Sequence, residues 1–134
     1  MQNMKHVQSS IDNNTKVAIT AEQMFMNANG FNIDLYGSKI GNDGLFQNKI
    51  NVEVVEIISS DKIKMQFWER GAGRTLSCGS GILASFYACY KSRKCNSSVK
   101  VALSHGNVTA SIDKNKLSII GEAEVSFLGE FLNE

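Results

Sequence analysis

Residues Gly81–Lys94 read GILASFYACYKSRK. Ile82, Leu83, Ala84, Phe86, Tyr87, Ala88 and Cys89 leave no polar face through the first three turns. A helix that is apolar on every side is a buried central helix rather than a surface one. Its last turn collects Lys91, Arg93 and Lys94, cations that suit the negative end of the helix dipole, and Asn96 is the expected terminator. On both sides the period changes from helix to strand. Upstream, Asn51–Ser59 (NVEVVEIIS) is β-branched and partly alternating, Ser60-Asp61-Lys62 is a turn, and Ile63–Glu69 (IKMQFWE) alternates with Ile63, Met65 and Phe67 on one side. Two such strands joined by a tight turn predict a hairpin.

Downstream, Ser98–Leu103 and Asn107–Ile112 alternate, Asp113–Asn115 is a turn, and strands are expected at Lys116–Ile120 and Glu124–Leu128. Near the N-terminus, residues 1–14 are polar and end in the turn signal Asp12-Asn13-Asn14, and Lys16–Thr20 alternates as a strand. Glu22–Asn27 fits strand or helix, and Asn27–Asn32 reads as a loop. Tyr36–Leu45 (YGSKIGNDGL), with three glycines and an Asn-Asp-Gly signal, reads as turn-rich. Strands, one buried helix, then strands argue for an α+β fold. The expectation is one domain over residues 1–134, a curved mixed sheet wrapped around a central buried helix.

The bulk numbers narrow the class. A chain of 134 residues with 43% hydrophobic and 20% charged residues has a soluble globular composition. Fourteen basic and thirteen acidic residues give a net charge of +1, so neither nucleic acid nor a membrane surface is an expected partner. MQNMKHVQSS has no apolar h-region and no stretch is long enough to span a bilayer, so a cytoplasmic location is expected. Three cysteines, an odd count without a secretion signal, do not suggest a disulfide framework. With no CxxC pair, and only His6 and His105 as imidazoles, no metal site is expected. Proline is absent, which removes the usual punctuation of element boundaries.

The chemistry concentrates in Glu69–Gly81, ERGAGRTLSCGSG, immediately before the helix. The first N–H groups of a helix have no internal acceptor, and the dipole adds partial positive charge there. Cys78 at that position has its thiolate favoured, and the N–H groups of Gly79 and Ser80 can cradle a carboxylate. Glu69 and Arg70, at a strand end beyond the Gly71-Ala72-Gly73 turn, can address an ammonium and a carboxylate. Together these groups complement an α-amino acid, and a thiol near the α-carbon can take or deliver the α-proton. Taken singly, each has a plainer reading: a structural cysteine, a turn, a solvated strand end. Their joint appearance at one strand–turn–helix junction favours the chemical one. Cys89 reads as core, and lies roughly 16 Å along the chain from Cys78 if helical, too far for a disulfide. Cys95 is expected half-exposed, His105 in a surface turn, and Trp68 as packing at the sheet edge.

ERGAGxTxxCGSG resembles the second active-site motif of the diaminopimelate epimerase family. The similarity extends to Tyr36–Ile57 upstream and Gly121–Phe131 downstream, so it covers about residues 36–131. The resemblance implies two similar domains, each a sheet around a central helix, with the active site in the cleft between them. It implies cofactor-independent catalysis by two cysteines, one per domain, interconverting LL- and meso-diaminopimelate for lysine and peptidoglycan synthesis in bacteria. By position, Cys78 would be the second domain's cysteine. Asn51, Glu69 and Arg70 would contact the substrate, with Glu69 near the reacting centre, and Gly79 and Ser80 would bind its α-carboxylate.

The departures carry expectations of their own. The family's first domain, with its own cysteine, has no counterpart in the chain. The Gly-Asn-Pro-His motif is not recognisable where the chain reads Asn13-Asn14-Thr15-Lys16, and a Leu-Pro-Gly-Gly turn stands as Leu103-Ser104-His105-Gly106. The expected function is therefore that of a C-terminal half, working with a separate N-terminal half or as a homodimer. The alternatives are an inactive truncated fragment with residual binding, or a half of a related amino-acid racemase.

Overall fold

A computed structural model of the protein describes residues 6–9, 16–19, 31–44 and 46–132. In chain order its elements are β1 (His6–Ser9), β2 (Lys16–Ile19), α1 (Ile33–Gly41), β3 (Val52–Ser59), β4 (Lys62–Glu69), β5 (Gly73–Thr75), α2 (Gly79–Lys91), β6 (Ser98–Leu103), β7 (Gly106–Asp113) and β8 (Lys116–Ile120). The region read as ambiguous between strand and helix, Glu22–Asn27, lies outside the described residues.

β1 and β2 pair antiparallel as a two-stranded ribbon; β1 falls in the stretch the sequence marked only as polar. The other six strands form one open mixed sheet in the order β3-β4-β6-β7-β8, with β5 added on β4. β4 organises this sheet. Along one edge it pairs antiparallel with β3. Its other edge is divided between two partners. Lys62–Lys64 pair in parallel with Lys100–Ala102 of β6, while Phe67–Glu69 pair antiparallel with Gly73–Thr75 of β5. A parallel pair needs a long crossover, and here the crossover runs through β5 and α2.

The alternation in β4 does what it predicted. Ile63, Met65 and Phe67 are buried with Val55 of β3, Val99 and Val101 of β6 and Ala110 of β7, and against them pack Ile82, Phe86 and Cys89 of α2. The buried helix is therefore central, and the α+β architecture read from the sequence holds. Its bounds shift. The helix starts at Gly79 and ends at Lys91 with Ser92 as C-cap. Asn96 is not the terminator, because its N–H bonds Ser60 O across the fold. Termination is local: Arg93 is left-handed, at φ 57°. Its N–H reaches Tyr90 O at 2.9 Å, and the Lys94 N–H reaches Cys89 O at 2.9 Å. That pair of bonds is a Schellman closure, and it tucks Cys95 into the core instead of leaving it half-exposed.

The other departure is α1, in a segment whose glycines read as turns. Asn32 caps it, its Oδ1 accepting the Leu35 N–H at 3.1 Å, with Asp34 in the first turn and Lys39 in the last. The glycines serve contact. A Cβ on Gly37 would lie 2.6–2.7 Å from three atoms of Trp68, and one on Gly41 would lie 3.0 Å from Ile50 O. Glycine costs helix propensity but lets the backbone close on the indole. Trp68 is thus a packing residue, as expected. It sits between β3 and β5 in the sheet, beneath α1, and not at an edge. With Ile40, Phe46, Ile50 and Val52 it forms a second small core on the face opposite α2.

Lys114 and Asn115, both at positive φ, make the two-residue β7–β8 turn the sequence predicted. The strand expected at Glu124–Leu128 is not formed, and Gly121–Leu132 has no regular structure. The pattern there suits a strand, but a strand exists only with a ladder partner, and among the described residues the sheet ends at β8. No helix among the described residues is long and apolar enough to cross a membrane.

Candidate active site

The junction from β4 through β5 to α2 carries the residues singled out in the sequence. Cys78 is the N-cap of α2, with φ −142° and ψ 105°. Its carbonyl accepts the first intrahelical bond, from the Ile82 N–H at 2.8 Å. Its thiol makes no capping hydrogen bond; it lies 3.5 Å from Ser80 Oγ and is 8% exposed. The first turn holds no acidic side chain of its own. The N–H groups of Gly79 and Ser80 thus stand at the positive end of the dipole, on residues that are themselves exposed.

Glu69 ends β4, as expected, and β5 explains how its carboxylate is held. Thr75, in β5, donates its hydroxyl hydrogen to Glu69 Oε1 at 2.7 Å. Thr75 is three residues ahead of Cys78, so one short strand ties the carboxylate to the start of the helix. Arg70 and Asn51 also meet. The Arg70 N–H donates to Asn51 Oδ1 at 2.9 Å, and Arg70 Nη1 donates to Asn48 O at 2.8 Å. Glu69 and Arg70 face a cleft of about 250 Å³ floored by Trp68; Cys78, Gly79 and Ser80 do not line it. The structure therefore gathers Asn51, Glu69 and Arg70 around one turn and Cys78, Gly79 and Ser80 around another, joined through Thr75.

The sequence reading passed over Glu53. It sits on the same side of β3 as Val55 and is 1% exposed, and it packs under the first turn of α2. A Cβ on Gly81 would run into its Oε1 and come within 3.0 Å of its Cγ and Cδ. The signal was available: residue 53 has the parity of the inward-facing Val55 and Ile57, where a carboxylate is out of place. Gly81 is thus required by a side chain from the sheet, inside the first turn of α2.

The two other thiols are of a different kind. Burial, and then the proximity of Cys95, pushes Cys89 up from the ordinary 9.0 to about 12. Burial pushes Cys95 up to about 11. Both stay neutral and inert at physiological pH. In native protein at pH 8, iodoacetamide should leave both unmodified in mass mapping, and both should react once the chain is unfolded. A native adduct on either would contradict their burial. The linkage has one sign. A thiol whose folded value is raised stabilises the fold fully below the unfolded value, so stability should erode as pH rises from about 9 through 11 and 12. His105 lies in the β6–β7 turn, exposed, its Nδ1 2.9 Å from Ser104 Oγ. Among the described residues no group of three or more His, Cys, Asp or Glu side chains is placed to hold a metal ion.

A mixed sheet packed on a central helix defines an α+β class of fold. The crystal structure of a Bacillus anthracis phenazine biosynthesis protein of the PhzF family shares the fold, with a TM-score of 0.50 and 15% identity over 84% of this chain and 36% of that one. At the level of sequence, the diaminopimelate epimerase family model matches residues 6–127. The chain belongs to the diaminopimelate epimerase family. The diaminopimelate epimerase of Agathobacter rectalis is 36% identical over 103 residues, 75% of this chain and 36% of the relative. That of Methanothermobacter thermautotrophicus is 39% identical over 111 residues, 80% of this chain and 39% of the relative. The chain spans a little over a third of the length of the curated relatives it matches.

Proposed function

We propose that this chain forms one thiol-bearing half of a cofactor-independent diaminopimelate epimerase site, as the family's C-terminal domain over residues 1–134. The opposing thiol would come from the part of the family's length the chain does not span. The observation that carries this reading is Cys78 at the N-cap of α2, followed by Gly79 and Ser80 and tied through Thr75 to Glu69. In the proposed reaction the Cys78 thiolate takes the α-proton from one face of the amino acid. A thiol on the opposite face returns a proton to the carbanion, so the centre inverts with no net change of atoms or electrons. The reverse direction exchanges the two roles. Gly79 and Ser80 N–H groups hold the α-carboxylate, while Glu69, Arg70 and Asn51 bind the polar groups of the substrate. One thiol alone can exchange a proton on one face and cannot invert the centre efficiently. Such an isomerase serves lysine biosynthesis.

The test mixes the chain with the portion of the Agathobacter rectalis relative outside the matched region, in D2O with LL-diaminopimelate. The α-proton signal should disappear in proton NMR only when both are present. A folded mixture that leaves it intact favours a second reading, a binding module without catalysis. One observation favours that reading: Cys78 is largely covered.

A further inference from the structure

The buried polar or charged residues among those described are Glu53 and Ser85. Glu53 is among the bulkiest fully buried side chains, and its neighbours Val52, Val54 and Val55 are buried with it. Taking a carboxylate out of water is costly, and a well-packed apolar side chain of the same size stabilises a core at least as well. Stability therefore gives no reason for a glutamate here. Its surroundings give one. The side chain's polar end lies against the bare backbone of Gly81, where a Cβ would run into Oε1. Gly81 is the third residue of α2, after Gly79 and Ser80. This is the turn whose N–H groups lack intrahelical acceptors and carry the positive end of the dipole. Ser85 lies one turn further along the same helix face and is also fully buried.

The place of Glu53 on β3 gives the contact its reach. Asn51 lies two positions earlier in the chain, and its Oδ1 accepts the Arg70 N–H. The strand between is held in register by β4, with Val52 opposite Trp68 and Glu53 opposite Phe67. One paired strand thus leads from the turn of Asn51, Glu69 and Arg70 to the turn of Cys78, Gly79 and Ser80. Thr75 ties those two turns through β5, and Glu53 ties them a second time through β3. The turn itself is weakly built, since Gly79, Ser80 and Gly81 include two glycines, the costliest helix residues after proline. We infer that Glu53 is a positioning residue for proton transfer. The polar end of its side chain, seated against Gly81, fixes the first turn of α2. With the turn it fixes the direction of the Cys78 thiol and of the Gly79 and Ser80 N–H groups. The inference rests on the half-site reading for what the turn does, and not for how the turn is held.

The test compares Glu53→Met, which keeps the length of the side chain without its oxygens, with Glu53→Gln, which keeps a polar end. Each is mixed with the portion of the Agathobacter rectalis relative outside the matched region, in D2O with LL-diaminopimelate. For Glu53→Met, kcat for α-proton exchange should fall about tenfold or more, and KM should change less, because a small misplacement of a reacting group costs more than a lengthened binding contact. Its melting temperature should be no lower than the parent's, since a buried carboxylate has been removed. Glu53→Gln should keep about a third or more of the parent kcat, because its amide oxygen can still meet the turn. A parental kcat in Glu53→Met, a loss that follows a lowered melting temperature, or a Glu53→Gln as slow as Glu53→Met overturns the proposal. Iodoacetamide mapping of the chain alone separates this inference from the half-site reading. Cys78 should be alkylated about fivefold faster in Glu53→Met than in the parent or Glu53→Gln, because a released turn uncovers its thiol. Cys89 and Cys95 should stay unmodified in all three. Equal Cys78 rates overturn the proposal, and so does modification of Cys89 or Cys95 in Glu53→Met, because the core itself would then have opened. A faster Cys78 without proton exchange in the parent mixture defeats the catalytic reading and leaves the tie to the turn standing.

Discussion

Cys78→Ser is expected to lower α-proton exchange in the reconstituted mixture by about a hundred- to ten-thousand-fold, the usual contribution of a positioned acid or base. Serine keeps the size and the N-cap geometry, and serine is itself a good N-cap. The fold should therefore persist, with an unchanged melting temperature. What is lost is an ionisable atom near the α-carbon, because a hydroxyl does not form a useful anion near neutrality. Neither Cys89 nor Cys95 can substitute, since both are buried and held as neutral thiols. The measurement is the rate of deuterium incorporation, with a circular dichroism melt as the control for folding. A serine variant that exchanges as fast as the parent would remove Cys78 from the mechanism and leave its position at the helix start without a chemical role.

Phe86→Ala is expected to cost about 3–5 kcal/mol, the range for emptying a fully buried aromatic site. Phe86 is 0% exposed. It stands on α2 in the same cluster as Phe67, Ile63 and Val101, with its ring centroid 6.3 Å from that of Tyr90. Domains of this size hold about 5–15 kcal/mol in all, so this single change should remove a large part of the stability. It would show as a lower urea midpoint with an unchanged slope. Because α2 also carries Cys78 at its start, the variant should lose exchange activity before it loses secondary structure. A loss below about 1 kcal/mol would mean that the helix is not the centre of the core.

Much of the candidate site's placement was legible because it is local. Glu69, Arg70, Cys78, Gly79 and Ser80 lie within twelve positions, and the strand–turn–helix junction that arranges them follows from a change of period. The same holds for the β3–β4 hairpin, whose register is set by a short turn and a row of alternating apolar residues. What was misread depends on distant partners. Gly37 and Gly41 looked like turn residues because nothing nearby reveals that Trp68, some thirty positions on, requires a bare helix face. Cys95 looked half-exposed because the left-handed Arg93 that folds it inward is not one of the residues that advertise such a conformation. Glu53 was passed over although its parity was visible, since only packing shows that it faces the first turn of α2.

The stretch Gly81–Lys94 by itself determined that one helix would be the centre of this protein, because a helix without a polar face has nowhere stable to be but inside. Its neighbours' alternation likewise determined that strands would surround it. Only the tertiary structure decided how β4 divides its second edge between β5 and β6, and so how Thr75 comes to hold Glu69 beside the start of α2. The physical reason is range. Side-chain periodicity records which face of an element avoids water, but it does not record which other element will cover that face.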